Sequence, residues 1–186
     1  SNLEELERIS RIVESILFLA RADEPQAVLQ RQPLRLHDEL QRIAEYFEGL
    51  AEERQIVLRI AGNATLGADP LLLRRALSNL VANAIRYGDP CSEVLLRVVE
   101  GGDDCRIDVE NQGPALDEAS LARLFDRFYR VDPSRAEPGD SGGLGLAIVQ
   151  SIMALHGGQA RLHSEAGATE FSLVFPPSDP SPNIKP

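Results

Sequence analysis

Only two cysteines, Cys91 and Cys105, occur in this 186-residue chain, and they form no CxxC pair. That argues against a disulfide framework or a cysteine metal site and suits a reducing compartment. Basic residues are also short, 19 Lys and Arg against 29 Asp and Glu, for a formal net charge of -10. Nucleic acid or anionic lipid would be approached against repulsion, so neither is expected as a partner, and any phosphate site must be built locally. No apolar run approaches the roughly 20 residues that span a bilayer, and no signal-peptide pattern opens the chain, so the segment reads as soluble. What remains, 43% apolar and 26% charged residues, is the balance of a folded domain. The length accommodates one such domain with a smaller appended element.

Leu6, Ile9, Val13, Ile16 and Ala20 recur at spacings of three and four, which predicts a helix with an apolar seam within residues 1–23. The seam suits either packing on the chain's own domain or half of an intermolecular bundle. Residues 24–33 hold Pro25, Pro33 and several Gln and read as a linker, so the main domain is expected over 34–177. In it, Leu40, Ile43, Ala44, Phe47, Leu50 and Ala51 mark an amphipathic helix, and 56–60 is strand-like. Asp69 and Pro70 are suited to N-cap and first position of a second helix, whose apolar face is Leu73, Ala76, Leu77, Leu80 and Ala84. Strands at 93–100 and 105–110 flank Gly101-Gly102-Asp103-Asp104, a hairpin turn by composition. A short helix within 115–128 follows, then a Pro-, Gly- and Ser-rich loop over 131–143 that reads as a mobile lid. A third long helix at 144–156 stops at Gly157-Gly158, strands at 159–164 and 170–175 close the domain, and 178–186 reads as a disordered tail. Helices separated by antiparallel hairpins predict an α+β fold. It would be a two-layer sandwich, with a mixed, largely antiparallel sheet carrying helices on one face and a less covered opposite face.

Asn79, Asn83 and Arg86 follow at helical spacings of four and three, so three polar side chains share one face of the second helix. Asparagine is a poor helix former, and two of them one turn apart need a reason. Their amide oxygens suit Mg²⁺, which keeps several waters and is completed by substrate phosphates. The pair alone equally suits a solvated face or hydrogen bonds to a neighbouring loop. Downstream, Ser141-Gly142-Gly143-Leu144-Gly145-Leu146 runs straight into a helix and would present backbone N–H groups to an anion. Glycine is needed there because a Cβ would block the close approach of phosphate. Between them, the strand Val109-Glu110-Asn111-Gln112-Gly113-Pro114 ends in polar side chains that could read a base edge.

In this order and spacing the segments resemble the nucleotide-binding boxes of sensor histidine kinases, within the superfamily that includes gyrase and the heat-shock chaperone ATPases, with the Bergerat ATP-binding fold. Residues 77–88, LSNLVANAIRYG, resemble the N box, and residues 125–130, FDRFYR, the F box. Residues 141–146 are similar to the second glycine box and 167–171 to the third, with Ser141 and Ala168 replacing a glycine in each. The resemblance implies ATP and Mg²⁺ as ligands. Asn83 would ligate Mg²⁺ with help from Asn79, and Arg86 and Tyr87 would face phosphate and base. Asn111, Gly113, Leu116, Phe125, Phe128, Arg130, Gly142, Gly143, Leu144, Gly145, Leu146 and Thr169 would complete the ATP site, with 126–142 as its lid. Asn111 stands where most of the family has an aspartate; an amide oxygen still accepts, though about 1 kcal/mol less strongly, so modest affinity for ATP is expected. The runs 109–113 and 125–135 are most similar to the heavy-metal (copper, silver) sensor subgroup.

The hydrolysing relatives carry a glutamate one turn before the Mg²⁺ asparagine, where this chain has Asn79. An amide cannot act as general base for water, so transfer with little free hydrolysis is expected. Transfer needs positioning and charge neutralisation, which Mg²⁺, Arg86, Arg130 and Arg135 could share. Residues 4–23 resemble the second helix of the family's dimerisation hairpin, and the acceptor histidine is expected on a first helix outside this segment. His37, His156 and His163 are assigned no chemistry. The resemblance therefore implies three partners: a histidine-containing dimerisation hairpin of the same parent protein, a response-regulator receiver domain, and a second copy in a full-length homodimer. It places the chain on the cytoplasmic side of a bacterial inner-membrane protein. The alternatives are a nucleotide-free interaction module of the same fold and an anti-sigma-factor-type serine kinase, which lacks the dimerisation helix.

Overall fold

The computed structural model describes residues 1–102, 104–132 and 142–177. Asp103 of the hairpin turn, most of the expected lid with Arg135 and Ser141, and the tail fall outside them.

Helix α1 (Asn2–Ala22) starts with a capping box made by Ser1 and Glu4. It carries two apolar stripes. Leu19 is buried and Ile12 and Phe18 are half-buried against the domain core, toward α5 (Gly145–Leu155), with the Arg75 guanidinium 4.3 Å above the Phe18 ring. The heptad seam is a different stripe: Leu6, Ile9, Val13 and Ile16 stay 44% to 64% exposed.

The segment read as linker is shorter than expected. Strand β1 (Gln32–Arg35) begins inside it and pairs antiparallel with β3 (Thr65–Ala68), Gln32 opposite Ala68. Pro33 is tolerated because this two-stranded sheet has only edges. Its pairing is non-local and both strands are short, so no period-two pattern announces it.

Five strands, β2 (Val57–Ala61), β4 (Glu93–Gly101), β5 (Asp104–Gly113), β6 (Gln159–Glu165) and β7 (Gly167–Phe175), form the main sheet in the order β2-β4-β5-β7-β6. Among the described residues only the β2–β4 pair is parallel. Strand β5 runs past the expected end at 110, because Asn111, Gln112 and Gly113 stay in register with Thr169, Ala168 and Gly167. Alternation decides the faces. Val94, Leu96 and Val98, Ile107 and Val109, and Phe171, Leu173 and Phe175 are buried toward α2 (Leu36–Glu53), α3 (Pro70–Tyr87) and α5. The opposite face carries ion pairs in place of helices. Asp108 is buried there beneath Arg97 and Arg106, at 3.3 Å and 2.8 Å, and accepts from Ser172 Oγ at 2.7 Å. A carboxylate removed from water needs such partners. Helix α4 (Glu118–Arg123), capped by Asp117, is the short helix expected within 115–128, and the chain turns after it.

Buried His156 joins the end of α5 to the start of α3. Its Nε2 accepts from the Asp69 N–H at 3.1 Å, which makes Nδ1 the protonated nitrogen, and Nδ1 donates to Ile152 O at 2.8 Å. Burial holds the ring below the ordinary histidine range, helped by Arg31 and opposed by the Ile152 carbonyl and Asp69. The unfolded ring titrates near its ordinary value of about 6.5. Below that pH the unfolded chain takes a proton that the folded chain refuses, so stability is complete above it and falls as pH drops toward the depressed folded value. Urea unfolding between pH 7.5 and 5.5 should show this as stability lost on acidification, by no more than about 1.4 kcal/mol per pH unit for one proton. A His156→Gln variant should lack that component; an equal slope in both proteins would refute the assignment.

Candidate functional site

Helix α3 is set from both ends. At its start, Asp69 Oδ1 accepts from the N–H groups of Leu71 and Leu72 at 3.1 and 3.2 Å, with Pro70 in the first turn. At its end, Arg54 donates to the carbonyls of Ile85, at 2.5 Å, and Arg86, a cation at the negative pole of the helix. Its apolar side, from Leu73 to Ile85, is in the core, which turns Asn79, Ala82, Asn83, Arg86 and Tyr87 toward a cavity of about 310 Å³.

The facing wall is the start of α5, with Gly143, Gly145 and Leu146 lining the cavity. Its N-cap, Leu144, has no polar side chain with which to cap the first turn, and the positive end of the helix faces the cavity. Gly143 has φ +80°, and a Cβ on it would lie 2.8 Å from Phe128 C and 2.9 Å from Tyr129 O. Asn79 crosses the gap: its Nδ2 donates to Gly145 O at 3.1 Å. The bond ends on the first residue of a neighbouring helix, where the sequence suggests a loop, and Oδ1 is the atom with which Asn79 could meet a cation.

The floor belongs to the sheet. Asn111 and Thr169 are 5% and 6% exposed and stand opposite each other in the β5–β7 register. Thr169 Oγ1 is 3.0 Å from Ser164 Oγ, which accepts from the Leu116 N–H at 3.0 Å and so ties the loop after β5 to the floor. Leu116, Leu124, Leu146, Ala82 and Phe171 give apolar walls, and Tyr129, Arg130, Val131 and Asp132 close one side.

Of the residues picked from the sequence, Asn79, Asn83, Arg86, Tyr87, Asn111, Leu116, Arg130, Gly143, Gly145, Leu146 and Thr169 line this cavity. Gly113, Phe125, Phe128, Gly142 and Leu144 do not. Leu144 is buried in the core, and Phe125 packs edge-on against Phe171 at 6.1 Å. Phe128 is 59% exposed with φ +66°. Gly113 allows β5 to approach Tyr87 O, where a Cβ would sit at 3.2 Å, and Gly142, at φ +68°, lies beside Ile12. Sequence reasoning passed over Phe171, although period two from Thr169 places it on the same face. Ser164 carried no such signal, since only the β6–β7 register brings it there.

No group of three or more His, Cys, Asp or Glu that could hold a metal occurs among the described residues. A divalent cation here would take the neutral amide oxygens of Asn79 and Asn83 together with oxygens of its ligand, a donor set that suits Mg²⁺.

Residues 68–179 match the family described as histidine kinase-, DNA gyrase B-, and HSP90-like ATPase. The chain belongs to that family. Among its relatives, the sensor histidine kinase CusS of Escherichia coli O157:H7 is 45% identical over 95% of this chain and 37% of its own length. The sensor protein CzcS of Cupriavidus metallidurans is 45% identical over 94% of this chain and 37% of its own length. The chain thus spans little more than a third of these curated relatives. The crystal structure of full-length ShkA in complex with AMPPNP superposes with a TM-score of 0.79 at 28% identity, covering 92% of this chain and 36% of that one. No helix among the described residues is long and apolar enough to cross a membrane.

Proposed function

We propose that this chain is the ATP-binding catalytic part of a two-component sensor histidine kinase. It passes the γ-phosphoryl group of Mg²⁺-ATP to a histidine on a separate helical hairpin, for onward transfer to a response-regulator receiver domain. The observation that carries the reading is the pairing, across one cavity, of the Asn79/Asn83 amides with the glycine-bearing start of α5. Amide oxygens hold the cation, backbone N–H groups and Arg86 meet phosphate, and the recessed Asn111–Thr169 floor takes the base. Nothing on α3 supplies a carboxylate to activate water, which favours transfer over hydrolysis.

None of the chain's three histidines lines the cavity. His37 is half-buried near Gly62 O, His163 is exposed beside Glu165, and His156 is the buried link between α3 and α5. The acceptor is therefore another segment of the parent protein. The bare stripe of Leu6, Ile9, Val13 and Ile16 on α1 suits a bundle with that segment and with a second copy. Kinship with CusS and CzcS supports a heavy-metal-responsive kinase whose catalytic part lies on the cytoplasmic side of the membrane.

The test mixes this chain with Mg²⁺ and γ-labelled ATP, with and without a histidine-containing dimerisation hairpin from the parent protein. Acid-labile label on the hairpin, with free phosphate released much more slowly, is the expected result. Steady-state hydrolysis that outpaces transfer would overturn the kinase reading, and absence of any nucleotide binding would leave an interaction module of the same fold.

A further inference from the structure

We infer that Asn111 makes the site a purine-nucleotide site that takes GTP as well as ATP; the inference rests on the nucleotide reading above and adds which base edges the floor accepts. Asn111 is held in β5 between Val94 of β4 and Thr169 of β7, so its backbone cannot withdraw, and it is 5% exposed at the bottom of the cavity. What remains free is rotation of the amide about its own axis, which exchanges Oδ1 and Nδ2. One long contact opposes that exchange: Nδ2 donates to Gln112 O at 3.4 Å, at the outer limit of hydrogen bonding. The two orientations are therefore close in free energy. With Oδ1 toward the base the amide accepts from the 6-amino group of adenine, and with Nδ2 toward it the amide donates to the 6-oxo group of guanine.

The second polar group of the floor has the same freedom. Thr169 Oγ1 and Ser164 Oγ are 3.0 Å apart, and either can donate to the other, so Thr169 presents the base with a proton or a lone pair as required. The charged residues that line the cavity, Arg86, Arg130 and Asp132, lie on α3 and on the segment after α4, and none is on the strands of the floor. A carboxylate at position 111 would instead offer acceptors alone and would face the guanine oxygen as like against like. A site built with one polarity rejects the mismatched partner strongly, because a buried polar group is left unpaired. An amide and a hydroxyl pair avoid that penalty for both purines.

Titration calorimetry of the chain with ATP and with GTP, both in Mg²⁺, tests this directly. The dissociation constants are expected to lie within tenfold of each other, a difference below about 1.4 kcal/mol. In Asn111→Asp the ratio should move more than tenfold against GTP, with ATP binding kept. Asn111→Ala, which removes both faces of the amide, should weaken the two nucleotides alike and serves as the second variant if a buried aspartate unfolds the sheet. ATP binding with GTP more than tenfold weaker would overturn the inference and leave the proposed function standing. An unchanged ratio in Asn111→Asp, or loss of ATP alone in Asn111→Ala, would remove Asn111 as its cause. Failure of both nucleotides to bind the unaltered chain would overturn the nucleotide reading itself, and this inference with it.

Discussion

Asn83→Ala should raise the dissociation constant for ATP in Mg²⁺ at least about 100-fold, a loss near 2.7 kcal/mol. Its unfolding midpoint should stay where it is or rise slightly. The two halves of that expectation have separate origins. Asn83 is half-buried and lines the cavity from α3, whose core contacts are made by Leu80, Val81 and Ala84 instead, so truncation removes a ligand atom without opening the core. In the helix interior alanine is the better helix former by about half a kcal/mol, which acts in favour of the variant's fold. If the amide works through a cation, the gap between the two proteins should close when Mg²⁺ is chelated. Equal binding by both proteins in Mg²⁺ would remove the residue, and the proposed function with it, from the site.

Gly143→Ala should be as damaging by a different route. The backbone there has φ +80°, in the left-handed region, which costs a residue with a Cβ about 1 to 2 kcal/mol. The new carbon would meet Phe128 C at 2.8 Å and Tyr129 O at 2.9 Å, both main-chain atoms, while the Phe128 N–H is already bonded to Gly143 O at 3.0 Å. Neither neighbour is a side chain that can swing away, so the segment bearing Tyr129 and Arg130 must leave the cavity wall. A fall in ATP affinity of more than about tenfold, with a lowered unfolding midpoint, is the expected result. Gly142→Ala is the matched control. It has φ +68°, but its added carbon would meet only the tip of the Ile12 side chain, at 3.2 and 3.3 Å. It should therefore lose less affinity, and the reverse ranking of the two variants would contradict this account.

Much of the site could be read from sequence because its central element is local. Asp69 and Pro70 mark where α3 begins, and helical spacing then places Asn79, Asn83 and Arg86 on one side with no knowledge of the rest of the chain. The adjoining wall was equally readable, since the glycines before α5 sit next to the helix they introduce. What escaped depends on partners distant in sequence. Ser164 reaches Thr169 and Leu116 through strand register, and β1 and β3 are too short to show alternation. The bond from Asn79 to Gly145 spans two helices, so the choice among the readings of that residue could not be made beforehand. Phe125, Phe128 and Leu144 lie within motifs that surround the cavity, and motif membership does not say which side chains point inward. On α1 both apolar stripes are visible in the letters, but the regular heptad drew attention from the stripe of Ile12, Phe18 and Leu19 that packs.

The residues that lead into β1 are fastened beside the start of α3. The Gln30 N–H donates to Asp69 Oδ2 at 3.0 Å, the Arg31 guanidinium reaches Gly67 O and His156 O, and β1 is stitched to β3 immediately before Asp69. All of this gathers at the N-terminal end of α3, while Asn83, Arg86 and Tyr87 occupy its C-terminal half. Eighteen residues at 1.5 Å per residue put about 27 Å between the two ends of that rod. A pull on the segment behind α1 is thus applied to the far end of a stiff lever. The amides sit toward the other end, which Arg54 holds at the carbonyls of Ile85 and Arg86.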